Sequence, residues 1–118
     1  MPSSTSYRFD PGAPPATGTP PGQLRLDNVN ASLATLIDLR LLDSDGADRS
    51  LWLRVLDAGC KIRITDWNDA SIHHSYDVTG PATLDATNAS IPVAWTTGLG
   101  TIPAGTINVG FLTALEVF

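Results

Sequence analysis

Residues 56–95, LDAGCKIRITDWNDASIHHSYDVTGPATLDATNASIPVAW, decide the reading of this chain. Within them KIRIT at 61–65 alternates, with Ile62 and Ile64 on one face and Lys61, Arg63 and Thr65 on the other, the period of a half-buried strand. DWNDAS at 66–71 reverses the chain, and 72–79 resumes with Ile72, His74, Tyr76 and Val78 on one face, which predicts a hairpin or meander. A turn around Gly80 and Pro81 leads to SIPVAW at 90–95, where Ile91, Val93 and Trp95 share a face. Pro92 lacks an amide hydrogen and places that strand at an edge or a bulge. Ile62, Ile64, Tyr76, Val78, Ile91, Val93 and Trp95 are therefore the expected centre of the core.

Working outward, TLIDLRLL at 35–42 alternates Ile37, Leu39 and Leu41 with Asp38 and Arg40, a strand closed by the turn residues DSDG at 43–46. QLRLDN at 23–28 offers a short strand with Leu24 and Leu26 on one face. In DRSLWLRVLD at 48–57 the spacing of Leu51, Trp52, Val55 and Leu56 predicts a short helix, with Asp48 able to cap its start and Gly59 placed past its end. The loop TTGLGTIPAG at 96–105 precedes INVGFLTALEVF, read as a last apolar strand from Ile107 to Phe118 that needs a cover. The expected class is all-β, or mainly β with one short helix, folded as a compact sandwich or barrel.

The first 21 residues read differently. Residues 2–22 carry six prolines and three glycines, with Tyr7 and Phe9 the only large apolar groups. Such a segment has too little apolar surface to offset its ordering entropy. The expectation is an extended N-terminal arm over 1–21 and a β-rich module over 22–118, with Tyr7 and Phe9 anchoring the arm on a neighbouring subunit.

The chain has 118 residues, 42% hydrophobic and 16% charged, with a net charge of −5, which fits one domain with a modest core. Lys61 is the only lysine and the six arginines are scattered, so no basic stripe suits nucleic acid or an anionic membrane surface. No apolar run approaches the ~20 residues of a membrane span. Cys60 is the single cysteine and cannot form an internal disulfide. The start MPSSTSYRFD lacks the basic and apolar regions of a secretory leader.

No chemistry-bearing constellation stands out. His73 and His74 are adjacent on a strand, point to opposite faces and cannot converge on one zinc ion. DSDGAD at 43–48 faintly resembles a calcium loop, but lacks the late bidentate glutamate of that geometry and reads as a turn. No serine, cysteine or histidine sits in a nucleophile frame. Asn30-Ala31-Ser32 and Asn88-Ala89-Ser90 match the glycosylation sequon, which without a leader is coincidence. No catalytic, cofactor or metal residues are expected. Trp52 and Trp95 lie on apolar faces and read as core, whereas Trp67, between Asp66 and Asn68 in a polar turn, is either exposed or buried against a partner.

Taken in order, PPGQLRLDN at 20–28, the D-x-D-G turn at 43–46, the Leu-rich short helix ending at a glycine, IRITDWNDAS at 62–71, YDVTG at 76–80 and SIPVAW at 90–95 resemble the small β-rich virion modules of tailed bacteriophages, of the tail-fibre and minor tail protein type. The likeness covers about 22–95 and departs at Cys60, where the pattern carries an acidic turn former. It implies a non-enzymatic structural protein of the virion, assembled in the host cytoplasm and stationed in the tail tip or fibre apparatus, with a capsid decoration or head-fibre protein as the alternative. It also implies a homo-oligomer, a trimer ahead of other states, with other virion proteins as neighbours. Tyr7, Phe9, Val117 and Phe118 are the candidate assembly contacts. A third reading is a host-adhesion module that binds a surface glycan through Trp67.

Overall fold

The computed structural model describes residues 3–11, 19 and 22–112. Its strands are β1 (Ser3–Phe9), β2 (Gln23–Leu26), β3 (Leu36–Arg40), β4 (Lys61–Asp66), β5 (His73–Val78), β6 (Thr83–Leu84), β7 (Asn88–Leu99) and β8 (Gly105–Leu112). A 3₁₀ turn covers Ala31–Leu33 and a short helix, α1, covers Ser50–Arg54. The strands pair in the order β3-β2-β1-β8-β4-β5-β7, and β7 returns to β3, so seven of them close into a barrel with β6 attached to the outer part of β7. All pairings are antiparallel except β1 with β2. A closed barrel is one way to avoid exposed strand edges.

Alternation puts one face of every barrel strand inside. Tyr7 faces Ile107, Ile64 faces Val109, Leu26 faces Ile37, Ile37 faces Ile91 and Val78 faces Val93, and all of these side chains are buried. The expected register over 61–65 is observed: Ile62 and Ile64 point in, Lys61 and Arg63 out. Each fully buried Val, Leu or Ile is worth roughly 1.5–3 kcal/mol of transfer free energy, so this interior is the main source of stability.

The expected N-terminal arm is corrected by β1. Ser3–Phe9 pairs along its whole length with β8 and, at Arg8 and Phe9, in parallel with β2. Thr5, Tyr7 and Phe9 form the inward face, and the folded unit therefore starts well before Gly22. The prolines that suggested an arm begin at Pro11, apart from Pro2, and averaging over 21 residues concealed the alternation in STSYRF. A parallel pair needs a crossover of about a dozen residues, and 10–22 supplies that length.

Three further expectations change. The β7 strand is interior, not an edge, and Pro92 sits where β7 passes from β6 (at Ala89 and Ser90) to β5 (from Val93 on), its carbonyl accepting from Thr79 N at 3.0 Å. The missing amide hydrogen thus falls at a gap in the ladder. Likewise β8 lies between β1 and β4, so the described part of the last strand is covered within the chain, while Val117 and Phe118 lie outside the described residues. The helix forms, but shorter than 48–57 and on a different face: Leu53 and Leu56 are buried, Trp52 is half-buried, and Leu51 and Val55 are exposed. Asp48 still accepts from Ser50 N at 2.9 Å.

Candidate functional site

The barrel has two unlike ends. At one, α1 and the 43–48 turn are tied to β1. Asp43 takes hydrogen bonds from the Thr5 hydroxyl, from Arg49 Nε at 2.8 Å and from the amides of Asp45 and Ala47 at 2.9 and 3.0 Å. Burial opposes its ionisation, but the Thr5 hydroxyl, the Ala47 amide, Arg49 and the Asp45 amide outweigh that and hold the carboxyl below the usual range. The DSDGAD segment is thus a turn whose leading carboxylate is satisfied by the chain itself. Tyr7 is fully buried and donates to the Arg40 carbonyl at 2.7 Å, and burial together with Asp43 drives its phenol well above the ordinary range.

The other end is the barrel mouth, formed by Asp10 and Pro11, the β2–β3 connection (27–35), the β4–β5 turn (67–72) and the β7–β8 loop (100–104). A cavity of about 320 Å³ opens here between Phe9, Leu26, Val29, Ala31, His74 and Ile102. His74 stands at its base on β5. Trp95 Nε1 donates to His74 Nδ1 at 3.0 Å, and His74 Nε2 meets the Gly100 carbonyl at 2.8 Å. An indole N–H can only donate, so Nδ1 is the acceptor and Nε2 carries the hydrogen. The ring rests against bare backbone, because a Cβ on Gly98 would lie 2.4 Å from Nδ1.

That contact depends on a bulge. Ser75 pairs with Thr97 but Tyr76 pairs with Trp95, leaving Thr96 as an extra residue on β7. The insertion shifts the alternation by one, so Gly98 faces in beside His74 while Leu99 faces out and is 66% exposed. Two residues on along β5, Tyr76 donates across the mouth to the Ala31 carbonyl at 2.8 Å and fixes the 3₁₀ turn.

Exposed large apolar residues gather at the ends. Among the described residues they are Val29, Leu33, Trp67 and Leu99 around the mouth, and Leu42, Leu51 and Val55 at the α1 end. Trp67 is 61% exposed, in a turn whose Asp69 is held below the usual carboxylate range by the Ser71 hydroxyl and amide. The outer wall carries a separate groove of about 470 Å³ over Ser4, Gly110, Arg63 and Ser75, one cross-strand row, with Lys61 and Leu112 beside it.

Of the residues expected to mediate assembly, Tyr7 and Phe9 are buried in their own barrel and so cannot anchor it on another subunit. The candidate partner-facing Trp67 is at the surface, beside the mouth. The positions of His74, Val29, Leu33 and Leu99 at the mouth are not readable from the sequence. His74 showed only as an inward strand position, and the bulge that exposes Leu99 has no local sequence mark beyond the glycine at 98. Among the described residues no group of three or more His, Cys, Asp or Glu is placed to hold a metal ion, and no helix is long and apolar enough to cross a membrane. In comparisons with known proteins the chain matches no family model, no curated protein and no solved structure.

Proposed function

We propose that this chain is a non-enzymatic structural component of a tailed-phage virion, a minor tail, tail-tip or fibre-associated protein that works as a homo-oligomer and meets its neighbours through the barrel mouth. The phage assignment rests on the sequence resemblance over 22–95. The observation that supports an interaction role is the exposure of Val29, Leu33, Trp67 and Leu99 around one end of a barrel whose strands are otherwise paired. Exposed apolar groups rimmed by polar loops are what an association surface needs, and the rigid wall fixes their spacing. Contacts between barrel ends replace the strand-edge contacts expected from the sequence. A trimer stands ahead of other states on resemblance alone.

The deciding experiment is to locate the chain in a reconstruction of the whole particle, alongside light scattering of the purified protein at micromolar concentration. Density at the tail tip or fibre base, with the mouth facing another protein, supports the reading. Density on the capsid favours the decoration or head-fibre alternative, and absence from the particle overturns both. The glycan-binding alternative draws on the exposure of Trp67, since sugars stack on aromatic faces, but Trp67 lines neither the mouth cavity nor the wall groove. Glycan-array binding abolished by Trp67→Ala would move the assignment to host adhesion.

A further inference from the structure

We propose that His74 is an acid-sensitive latch: its neutral ring ties the β7–β8 loop to the barrel wall, and protonation of Nδ1 releases that loop and opens the mouth. The proposal is independent of the virion assignment and rests on the hydrogen-bond chain from Trp95 Nε1 to His74 Nδ1 (3.0 Å) and from His74 Nε2 to the Gly100 carbonyl (2.8 Å).

Imidazole is the side chain whose charge ordinarily changes between about pH 5 and 8. In this geometry a second ring proton has nowhere to go. It would point at the Trp95 N–H, setting two donors against each other where a donor now meets an acceptor. The ring cannot relieve this by sliding toward β7, because the backbone of Gly98 already lies against Nδ1. It must turn away, and turning carries Nε2 off the Gly100 carbonyl.

The loop is built to respond. Gly100 (φ +81°) and Gly105 (φ +132°) bracket it, both in conformations that favour glycine and both able to act as hinges. Between them Ile102 is buried over the cavity. Losing the latch leaves Ile102 and the packing of Ile72 against Gly100 to hold the loop, and lifting Ile102 uncovers Phe9, Leu26 and Ala31.

The ionisable groups facing this region are few. On β4 the residue opposite His74 is Ile64, and the next inward position is Asp66, 8% exposed. On β5 the next inward residue is Tyr76, bound to Ala31, and on β1 it is Tyr7, bound to Arg40. At the rim, Asp10 pairs with Arg25 at 2.8 Å and Asp27 accepts from Thr35. The inward residues of β7 and β8 here are Trp95, Gly98, Ile107 and Val109, none of them acidic or basic. Among these inward positions Asp66 is the one carboxylate, and none of them carries a base.

The test is NMR of the intact chain at pH 7.5 and 5.5. At pH 7.5 the ring nitrogens should report the Nε2–H form. At pH 5.5 the Trp95 indole N–H signal should move, and Gly100–Ile102 should lose order while Ile62 and Ile107 keep their signals. Trp95→Phe removes the opposing N–H and leaves the Gly100 bond intact, so its loop should stay ordered at both pH values. The proposal is overturned by the Nδ1–H form at pH 7.5, by an unmoved indole signal or an unmoved loop at pH 5.5, by global unfolding at pH 5.5, or by acid opening of Trp95→Phe equal to that of the natural chain.

Discussion

Arg49 donates from Nε to Oδ2 of Asp43 at 2.8 Å while its guanidinium lies 4.3 Å from the centroid of the Trp52 ring. Trp52 in turn meets Phe111 edge-on at 6.2 Å, so one ion pair joins the 43–48 turn, α1 and the inward face of β8. Replacing Asp43 by Ala leaves Arg49 without its carboxylate and two amides without an acceptor. Asp43 is buried but Arg49 is a quarter exposed, so the expected cost is about 1–3 kcal/mol, the range for leaving buried donors without their acceptor. Because the folded Asp43 carboxyl is held low, its contribution is fully present above the unfolded carboxyl range, near pH 4, and disappears as the pH falls through the folded value. Chemical denaturation of both proteins should therefore show a gap at pH 7 that closes toward pH 2, and a gap constant across that window would remove the charge from the explanation.

Asp38 shows the opposite linkage. It faces outward on β3 but is 2% exposed, and its Oδ1 accepts from Asn88 Nδ2 at 3.2 Å. Burial raises its carboxyl above the ordinary range, Asn88 pulls it back, and Asp85 pushes it up again. A folded state that binds the proton more tightly than the unfolded chain loses stability as pH rises. Asp38→Asn keeps the oxygen and drops the charge, so it should stabilise the barrel at pH 7 by about 0.5–2 kcal/mol, the usual span for a single favourable substitution. The gain should shrink at pH 4. Thermal melts at the two pH values check this, and a lower Tm for the variant at pH 7 would mean that Arg25 already compensates the charge.

Two glycines on opposite faces of the barrel wall should behave differently. A Cβ at Gly98 would come within 2.5 Å of the His73 carbonyl as well as meeting the His74 ring, so backbone must move. Gly98→Ala should cost about 1–3 kcal/mol, typical of overpacking, and should disturb the Trp95 indole signal. At Gly110 the nearest atom is the Arg63 carbonyl at 3.9 Å, ordinary contact. Gly110→Ala should be neutral or gain about 0.4–1 kcal/mol by restricting the unfolded chain. Equal losses at both sites would show that lost strand flexibility, not contact with His74, sets the cost.

The alternating strands were legible because their period of two is a local property. Ile62, Ile64, Tyr76, Val78, Ile91 and Val93 are buried as the pattern requires, and Trp95, on the same face, is half-buried. What failed depended on distant partners. Tyr7 and Phe9 looked stranded in an arm because the strand that covers them, β8, lies about a hundred residues on, and Pro92 looked like an edge marker because nothing nearby reveals that β5 hands over to β6 there. The helix face was misjudged for a related reason. Leu51, Val55 and Leu53 are equally apolar, and only the position of the barrel beneath α1 selects Leu53. The exposure of Trp67 was legible as a possibility because polar turn residues surround it, whereas the mouth cluster required the closure of the barrel.

The N-terminal strand offers the sharpest test of the architecture. In a closed barrel, removing β1 leaves β2 and β8 with unfilled hydrogen-bonding edges and deletes Tyr7 and Phe9 from the interior. Losing two buried aromatic side chains, at about 3–5 kcal/mol each for truncation to Ala, exceeds much of the roughly 5–15 kcal/mol by which domains are stable. A chain lacking residues 1–9 should therefore lose cooperative thermal unfolding by circular dichroism and bind a hydrophobic dye at neutral pH. A synthetic peptide of residues 1–11 should restore cooperative melting in trans by adding the missing strand, and the same peptide with Tyr7→Ser should not. Were the truncated chain to melt cooperatively at the natural temperature without peptide, the segment would be a dispensable arm after all, and its place between β2 and β8 would be wrong.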